Sequence, residues 1–236
     1  FLASARDLLL QATRCEQDAR GISAQQAGII RLGCFHTLAP FYLARLVAAH
    51  REVYPGVKIE SAELLQTEIL AAIERGELDL AITYDMALDP GAVERCVLTR
   101  LHPFLLLPAD HHLATRASIE LTELAHDPFV MFDGPSSRAY FEGILSSAGI
   151  EPPIAFASKS LESVRSAVAN GLGYSLGVMR NDHPGSCDGR RVATVEIADA
   201  VDPLAIVLLR RPSTLYPAIL EQFTGFCRDH FVARQA

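Results

Sequence analysis

The pattern of hydrophobic and polar positions changes period repeatedly after the first 27 residues, which indicates alternating strands and helices. The stretch "GIIRLGCF" (28–35) is a mostly apolar run of strand length. Residues 40–53 then place apolar side chains at three- and four-residue intervals, and Pro40 falls in the first turn, where proline is tolerated. "YPG" (54–56) ends this helix, and "VKIESAEL" (57–64) alternates like a half-buried strand.

A second helix and a third strand complete this first group. The helix begins near Thr67 and ends at Gly76, a residue suited to the left-handed position after a helix. "ELDLAITY" (77–84) is predicted as the third strand. The order strand, helix, strand, helix, strand predicts a mostly parallel sheet with right-handed crossover connections.

The same order recurs later in the chain. Residues 154–178 align with residues 59–83, and Gly171 then falls opposite the glycine that ends the second helix. Upstream, a strand at 128–133 and a helix at 137–148 correspond to the first strand and first helix of the first group. Few residues are identical, so we predict a structural repeat: an α/β protein of two βαβαβ-type halves, each with its own sheet.

The remaining segments predict that the chain crosses between the halves twice. Residues 93–114 are strand-like, further strands are predicted at 192–197 and 202–211, and an amphipathic helix at about 215–231 closes the chain. That helix needs an apolar core to cover, and we assign it to the first half. The predicted organisation is the end of a separate helix at 1–22, one lobe from 28–98 and 203–236, and a second lobe from 99–202. Because ligand sites in open parallel sheets lie beyond the carboxyl ends of the strands, we expect a ligand site in the cleft between the lobes.

Composition limits the function classes. The chain has 236 residues, 50% of them hydrophobic, and a net charge of −7, so on its own it is predicted to be a poor nucleic-acid binder. No uncharged apolar run approaches the roughly 20 residues that a membrane span needs. The first residues do not resemble a secretory signal, and because the sequence does not begin with Met we expect a longer protein. The five scattered cysteines have no zinc-type spacing, which favours buried thiols in a reducing cytoplasm and no metal or cofactor; they are Cys15, Cys34, Cys96, Cys187 and Cys227.

Several motifs in order resemble one known family. They are "IRLGCFHTLAPFYLARLVAAHREVYPGVKIE", "ILAAIERGELDLAI", "LLLPADHHLA", "IELTELAHDPFVMF" and "VANGLGYSL". Together they are similar to the effector-binding domain of LysR-type transcriptional regulators, and the resemblance covers essentially the whole chain. One departure is His112, where the family usually has proline after the first histidine.

The resemblance carries expectations about fold and partners. It implies the fold of the type 2 periplasmic binding proteins, with residues 1–22 as the end of a dimerising linker helix. It also implies a winged helix-turn-helix domain, absent from this sequence, that makes the DNA contacts of a cytoplasmic regulator. Family members usually form dimers through this domain and tetramers in full length, and we expect helix 40–53 of one chain to face helix 160–170 of another.

Polar residues that follow strands are the candidates for effector contacts, because free backbone N–H groups at a helix start attract a hydrogen-bond acceptor. The resemblance adds that hydroxyls at the positions of Thr37 and Thr67 typically meet a carboxylate of a small effector. The candidate effector-binding residues are His36, Thr37, Gln66, Thr67, Tyr84, Asp85, Phe132, Ser136, Ser137, Arg138, Val178 and Met179.

Each candidate has a structural alternative. Thr37, Thr67 and Ser136 are also suited to capping a helix, which contributes about 1 kcal/mol. Arg138 is poorly placed for the helix dipole, so it is either solvated or bound to an anion. His36 is either a core histidine or a ligand contact.

Three other functions compete with effector sensing. A hydrolase that uses Ser136 or Ser137 as nucleophile lacks the G-x-S-x-G turn, and we predict no enzyme activity. A solute-binding protein shares the fold but would need a secretory signal. A redox role for Cys34 or Cys187 would need a partner thiol, and none is close in sequence.

Overall fold

The structure is a computed structural model that describes residues 28–86, 88–89, 91–134, 136–181, 183–213 and 215–232. The helix predicted within residues 1–22 lies outside these residues. In chain order the elements are β1 (Gly28–Phe35), α1 (Ala39–Val53), β2 (Val57–Leu64), α2 (Gln66–Glu74), β3 (Leu80–Tyr84), β4 (Glu94–Leu101), β5 (Phe104–Pro108), β6 (Ser118–Ile119), β7 (Phe129–Phe132), α3 (Ser137–Ser147), β8 (Ile154–Ser158), α4 (Leu161–Ala169), β9 (Ser175–Gly177), β10 (Val192–Ile197), β11 (Leu204–Arg210) and α5 (Ala218–Val232). A 3₁₀ helix at Leu121–Leu124 follows β6.

These elements form two compact units. Unit 1 holds the described residues up to Arg100 and those from Ala205 onward, and unit 2 holds Leu101–Leu204. No helix in the described part of the chain combines the length and apolar character needed to cross a bilayer.

Unit 1 is built on a five-stranded sheet in the order β2-β1-β3-β11-β4. β1 pairs in parallel with both β2 and β3, while β11 runs antiparallel to β3. β3 is buried throughout and β1 is buried from residue 32 to residue 35, as expected for parallel strands covered on both faces. Gly76, in the left-handed region at φ 69°, ends α2 and confirms the predicted turn into the third strand.

Unit 2 repeats this plan. β7 pairs in parallel with β8, and a separate sheet has the order β6-β10-β5-β9. An isolated parallel bridge between Phe129 and Tyr174 joins the two sets, with Val130 N–H donating to the Tyr174 carbonyl at 2.7 Å. Gly171, at φ 79°, ends α4 as Gly76 ends α2. The apolar core of the unit gathers side chains from β5, β7, α3 and α4.

Candidate functional site

In unit 1 the carboxyl ends of three parallel strands lie at one edge of the sheet. The register pairs Phe35 with Leu64 and Cys34 with Ile82, so the residues that follow β1, β2 and β3 are neighbours. The predicted candidates fall on two such strand-end edges, one in each unit, and this edge is the one in unit 1. Its candidates are His36, Thr37, Gln66, Thr67, Tyr84 and Asp85.

Two buried polar atoms near this edge have no hydrogen-bond partner among the described residues. They are Nδ1 of His36 and Oγ1 of Thr83, and Thr83 is fully buried. Burial lowers the pKa of His36, although the nearby carboxylates of Glu63 and Glu68 act in the opposite direction. His36 therefore favours the neutral form, which offers one donor and one acceptor. A buried polar atom without a partner is costly, so the His36 and Thr83 atoms are candidates for hydrogen bonds to a bound molecule or to water.

Other candidates of this edge already have protein partners. Gln66 is buried, and its side-chain amide donates to the Met86 carbonyl at 2.6 Å. The Tyr84 ring is buried and meets the Phe35 ring edge-on, with centroids 5.6 Å apart. Arg95 donates to the Asp85 carboxylate at 2.8 Å. Gln66 and Asp85 therefore make hydrogen bonds within unit 1, and Tyr84 packs against Phe35.

Unit 2 has a corresponding strand-end edge after β7 and β8. Phe132 pairs with Ser158, and the Asp133 N–H donates to the Ser158 carbonyl at 2.8 Å. Arg138 donates from Nε to Asp133 at 2.7 Å and from a terminal nitrogen to Glu142 at 2.9 Å. These two carboxylates raise the pKa of Arg138.

These contacts give Arg138 a state that differs from both alternatives. The guanidinium is neither simply solvated nor an unoccupied anion receptor, because two carboxylates of its own unit neutralise it. An effector anion would have to compete with Asp133 and Glu142 for it.

The capping alternative is wrong for three candidates. Ser136 stands at the cap position of α3 but lies in the left-handed region, at φ 64°, and its side chain makes no capping hydrogen bond. The residues at the cap positions of α1 and α2 are Leu38 and Leu65, which places Thr37 before one helix and Thr67 inside the other. The start of α2 is held by Glu68, whose carboxylate accepts from the Leu65 N–H at 2.7 Å.

Two serines at the unit 2 edge are missing from the predicted set. Ser158 ends β8, and its hydroxyl accepts from the Ser160 N–H at 3.2 Å. Ser160 in turn caps α4 by accepting from the Ser163 N–H at 3.2 Å. The internal repeat could have identified Ser160 as a residue at a helix start. The offset that aligns Gly171 with Gly76 also aligns Ser160 with Leu65, which stands at the cap position of α2.

The remaining candidates of unit 2 are less polar. Phe132 and Ser137 are buried, and Val178 and Met179 follow β9 and are half-buried.

A cavity of about 890 Å³ in this unit lies at the opposite ends of the strands, where Phe129 and Ile154 begin β7 and β8. None of the predicted effector-binding residues lines it. The described residues contain no group of His, Cys, Asp and Glu side chains suited to a metal ion.

Comparison with known proteins agrees with this architecture. The family model described as the LysR substrate binding domain matches residues 23–232. Among solved structures, HinK of Pseudomonas aeruginosa, a LysR family transcriptional regulator, is 34% identical, with a TM-score of 0.84 over 97% of this chain and 77% of that one. A putative LysR family regulator from the same organism is 36% identical, with a TM-score of 0.81 over 87% of this chain and 76% of that one.

Curated relatives are also regulators. The uncharacterised HTH-type transcriptional regulator YnfL of Escherichia coli is 29% identical over 181 residues, which is 75% of this chain and 60% of the relative. A second relative, YybE of Bacillus subtilis, is likewise matched over 60% of its length. The chain thus spans about 60% of the length of these curated relatives.

Proposed function

Because the chain belongs to the LysR substrate-binding domain family, we propose that it is the sensing domain of a cytoplasmic transcriptional regulator. In this proposal a small organic effector binds the strand-end edges and thereby changes DNA binding and transcription. A winged helix-turn-helix domain of the whole protein makes the DNA contacts. The observation that carries the proposal is the pair of buried, unpartnered polar atoms of His36 and Thr83 at the unit 1 edge.

We propose further that the effector carries a carboxylate. The neutral donors of the unit 1 edge support this, since helix starts and hydroxyls bind carboxylates without a cation. Thr37 is buried beside the start of α1, and Thr67 lies in the first turn of α2. A carboxylate that binds at the unit 2 edge instead would displace Asp133 or Glu142 from Arg138. Arg138 would then bind only those anions that can displace the carboxylates of Asp133 and Glu142.

A thermal-shift screen with matched acids and amides tests both parts of this proposal. Benzoate with benzamide, and succinate with succinamide, differ only in the charged group. We expect at least one acid to raise the melting temperature while its amide does not, because only the acid presents two strong acceptor oxygens. A general stabilisation by amides would contradict the carboxylate, and the absence of any stabilising small molecule would contradict effector binding.

Variants of the two edges locate the contact. Thr37→Ala should reduce the shift given by an acid that binds at the unit 1 edge, and Arg138→Ala should reduce the shift given by an acid that binds at the unit 2 edge. Thr99→Ala, on β4, should leave both shifts unchanged. If both edge variants keep the full shift, the effector binds elsewhere. The relatives named above are transcriptional regulators, and we propose no catalytic role for Ser136 or Ser137; ester hydrolysis abolished by Ser136→Ala would contradict that.

We also propose that the chain forms a homodimer in which α1 of one copy faces α4 of the other. Exposed apolar side chains support this arrangement, because such side chains mark interaction surfaces when they cluster. Val53 at the end of α1 is 55% exposed, and Leu161 at the start of α4 is 36% exposed. Ile154 and Phe156 on the neighbouring strand β8 are 47% and 37% exposed.

Light scattering after size exclusion measures the assembly directly. We expect a dimer for the wild-type chain and a monomer for the double variant Ile154→Glu and Phe156→Glu. Val97→Glu is the matched control, since Val97 is 47% exposed but lies on β4. A monomeric wild type, or dissociation by the control alone, would contradict the proposed surface. In the full-length regulator we propose that two such dimers form a tetramer.

A further inference from the structure

Strand β4 and helix α5 of unit 1 bring together two cysteines that are far apart in the sequence. Cys96 lies on β4 and is partly exposed, and its sulfur accepts a hydrogen bond from Nε of Arg228 at 3.1 Å. Arg228 belongs to α5, and the residue before it is Cys227, which is fully buried. The Arg228 contact therefore places the Cys96 sulfur beside the turn of α5 that carries Cys227.

A second contact fixes the same two elements side by side. Glu94 lies two residues before Cys96 and so projects from the same face of β4. Arg210 donates to Glu94 at 3.0 Å and to Glu221 of α5 at 2.6 Å. The face of β4 that carries Cys96 is thus held against α5 by two separate polar contacts. Burial raises the pKa of Cys227, and the nearby charge of Cys96 raises it further. The effect of Cys96 is a second sign that the two thiols are close.

Other thiols of the described chain lack this setting. Cys34 is buried on β1, where burial raises its pKa to about 12 and its thiol donates to the Phe35 carbonyl at 3.7 Å. Cys187 is exposed and lies in unit 2. The alternative of a redox role for Cys34 is therefore disfavoured, and the combination of accessibility, a guanidinium and a neighbouring thiol is found at Cys96.

We propose that Cys96 and Cys227 form a peroxide-responsive thiol pair, with Cys96 as the attacking thiol and Cys227 as the resolving thiol. The Cys96 thiolate, complemented by the Arg228 guanidinium, attacks one oxygen of hydrogen peroxide or an organic hydroperoxide. The O–O bond breaks, Cys96 becomes a sulfenic acid, and hydroxide or alkoxide leaves and is protonated. The Cys227 sulfur then attacks the Cys96 sulfur, the S–O bond breaks, and water leaves as the disulfide forms. Overall, two thiols lose two electrons and two protons to one peroxide.

The disulfide would covalently link β4 to α5. β4 is the strand at whose end the chain passes from unit 1 into unit 2, at Arg100 and Leu101. A link at Cys96 would therefore constrain the segment that leads out of unit 1. This effect is independent of effector binding at the strand-end edges, so the two can be tested separately.

Peptide mapping by mass spectrometry after hydrogen peroxide treatment tests the pair. In the wild-type chain we expect a disulfide-linked peptide containing Cys96 and Cys227, two hydrogen masses lighter than the two free peptides together. In Cys227→Ser we expect a sulfenic acid at Cys96 that dimedone traps, and in Cys96→Ser we expect neither product. Cys187→Ser is the matched control and should keep the linked peptide.

The role of Arg228 has its own readout. Arg228→Gln should slow trapping at Cys96 at least several-fold without changing the site of reaction, and Arg228→Lys should restore part of the rate. A dimedone adduct that maps to Cys187 in preference to Cys96 would overturn the proposal. So would a Cys96 sulfenic acid that persists in the wild type without forming the link, because Cys227 would then not resolve it.

Discussion

Unit 1 orders its strands β2-β1-β3-β11-β4 in one sheet. Unit 2 has the corresponding strands in two sheets, β8-β7 and β9-β5-β10-β6, which the bridge between Phe129 and Tyr174 joins. In both units two crossover helices connect three parallel strands. The third of these strands has an antiparallel neighbour in the sheet, which is β11 in unit 1 and β5 in unit 2. The second helix of each unit ends at a glycine with positive φ. The backbone plan is therefore the same, and the differences between the units lie in the side chains that the plan presents.

The strand-end edges show that difference. At the unit 1 edge, polar atoms of His36 and Thr83 are buried without partners among the described residues. At the unit 2 edge, Arg138 is partly exposed and bound to Asp133 and Glu142. The polar groups at the unit 1 edge are thus neutral and buried, so that each hydrogen bond made there is strong. The unit 2 edge instead carries a cation that is paired with its own carboxylates. The comparison shows that one backbone plan can present a neutral polar edge in one unit and an ion-paired edge in the other.

The largest expected effect concerns the loop before the third strand of unit 2. Gly173 has φ 144°, and a Cβ there would lie 2.0 Å from the Pro128 carbonyl oxygen. The same carbonyl accepts from the Tyr174 N–H at 3.0 Å, so the backbone cannot move away without losing that bond. We expect Gly173→Ala to lower the free energy of unfolding by about 3 to 5 kcal/mol, measured by urea denaturation.

The matched control for this variant is Gly171→Ala in the same loop. Gly171 also has positive φ, but a Cβ there meets nothing within 4 Å, so only backbone strain is added. Unit 1 carries Leu78 at the position that matches Gly173, which shows that the close approach belongs to unit 2 alone. Equal losses for the two glycine variants would contradict the steric explanation.

Much of this backbone plan could be predicted from the sequence, because periodicity and glycines report on local structure. The strands 28–35 and 57–64 and the helix 40–53 lie within one residue of their observed bounds. The pattern predicts a third strand from residue 77, but the strand begins at Leu80, since Arg75 and Gly76 form the turn after α2 and residues 77–79 are an irregular connection. The capping positions were wrong because side-chain preference alone does not distinguish a cap from a neighbouring turn.

The second prediction sharpens the contrast between the strand-end edges. Asp133→Asn combined with Glu142→Gln removes both counterions of Arg138 while keeping side-chain shape. We expect this double variant to bind the best carboxylate of the thermal-shift screen about tenfold more tightly, or about 1.4 kcal/mol, by calorimetry. Adding Arg138→Ala should abolish the gain.

The control for the second prediction is Glu196→Gln, which releases Arg180 elsewhere in unit 2 from a 2.7 Å ion pair. It should leave the affinity unchanged, because Arg180 is not among the strand-end residues. Unchanged affinity in the Asp133 and Glu142 variant would show that Arg138 does not contact the effector.

The chemistry of the edges was less predictable than the backbone. Sequence reasoning selected Arg138 from its position at a helix start, but the partners that neutralise it depend on side-chain directions that no spacing rule supplies. Asp133 precedes it by five residues across a loop, and Glu142 follows it at the four-residue helical interval. The pairing of Cys96 with Cys227 could not be predicted either, because 130 residues separate them in the sequence and only the packing of β4 against α5 brings them together.

A third prediction tests the symmetry of the backbone plan. Gly76 and Gly171 end the second helix of their units at φ 69° and 79°. We expect Gly76→Ala and Gly171→Ala to cost similar free energies of unfolding, about 1 kcal/mol each, because both force an alanine into the left-handed region. A cost in one unit several times that in the other would show that the two helix ends are not equivalent.

The smallest expected effect concerns Ser136, which in the described residues is the one non-glycine residue with positive φ. Its side chain makes no capping hydrogen bond, so the hydroxyl contributes little while the backbone carries strain. Ser136→Gly should therefore raise the free energy of unfolding by about 0.5 to 1 kcal/mol, the relief of strain being partly offset by the greater freedom of glycine in the unfolded chain. Ser136→Ala tests the side chain alone: it should change the free energy of unfolding by no more than a few tenths of a kcal/mol, whereas replacing a capping serine would cost about 1 kcal/mol.

In unit 1, Thr37→Gly should instead lower the free energy of unfolding, because the first loop there contains no left-handed residue among those described. Opposite signs at these two loops in urea denaturation would show that unit 2 alone stores strain at the start of its first helix, beside Arg138.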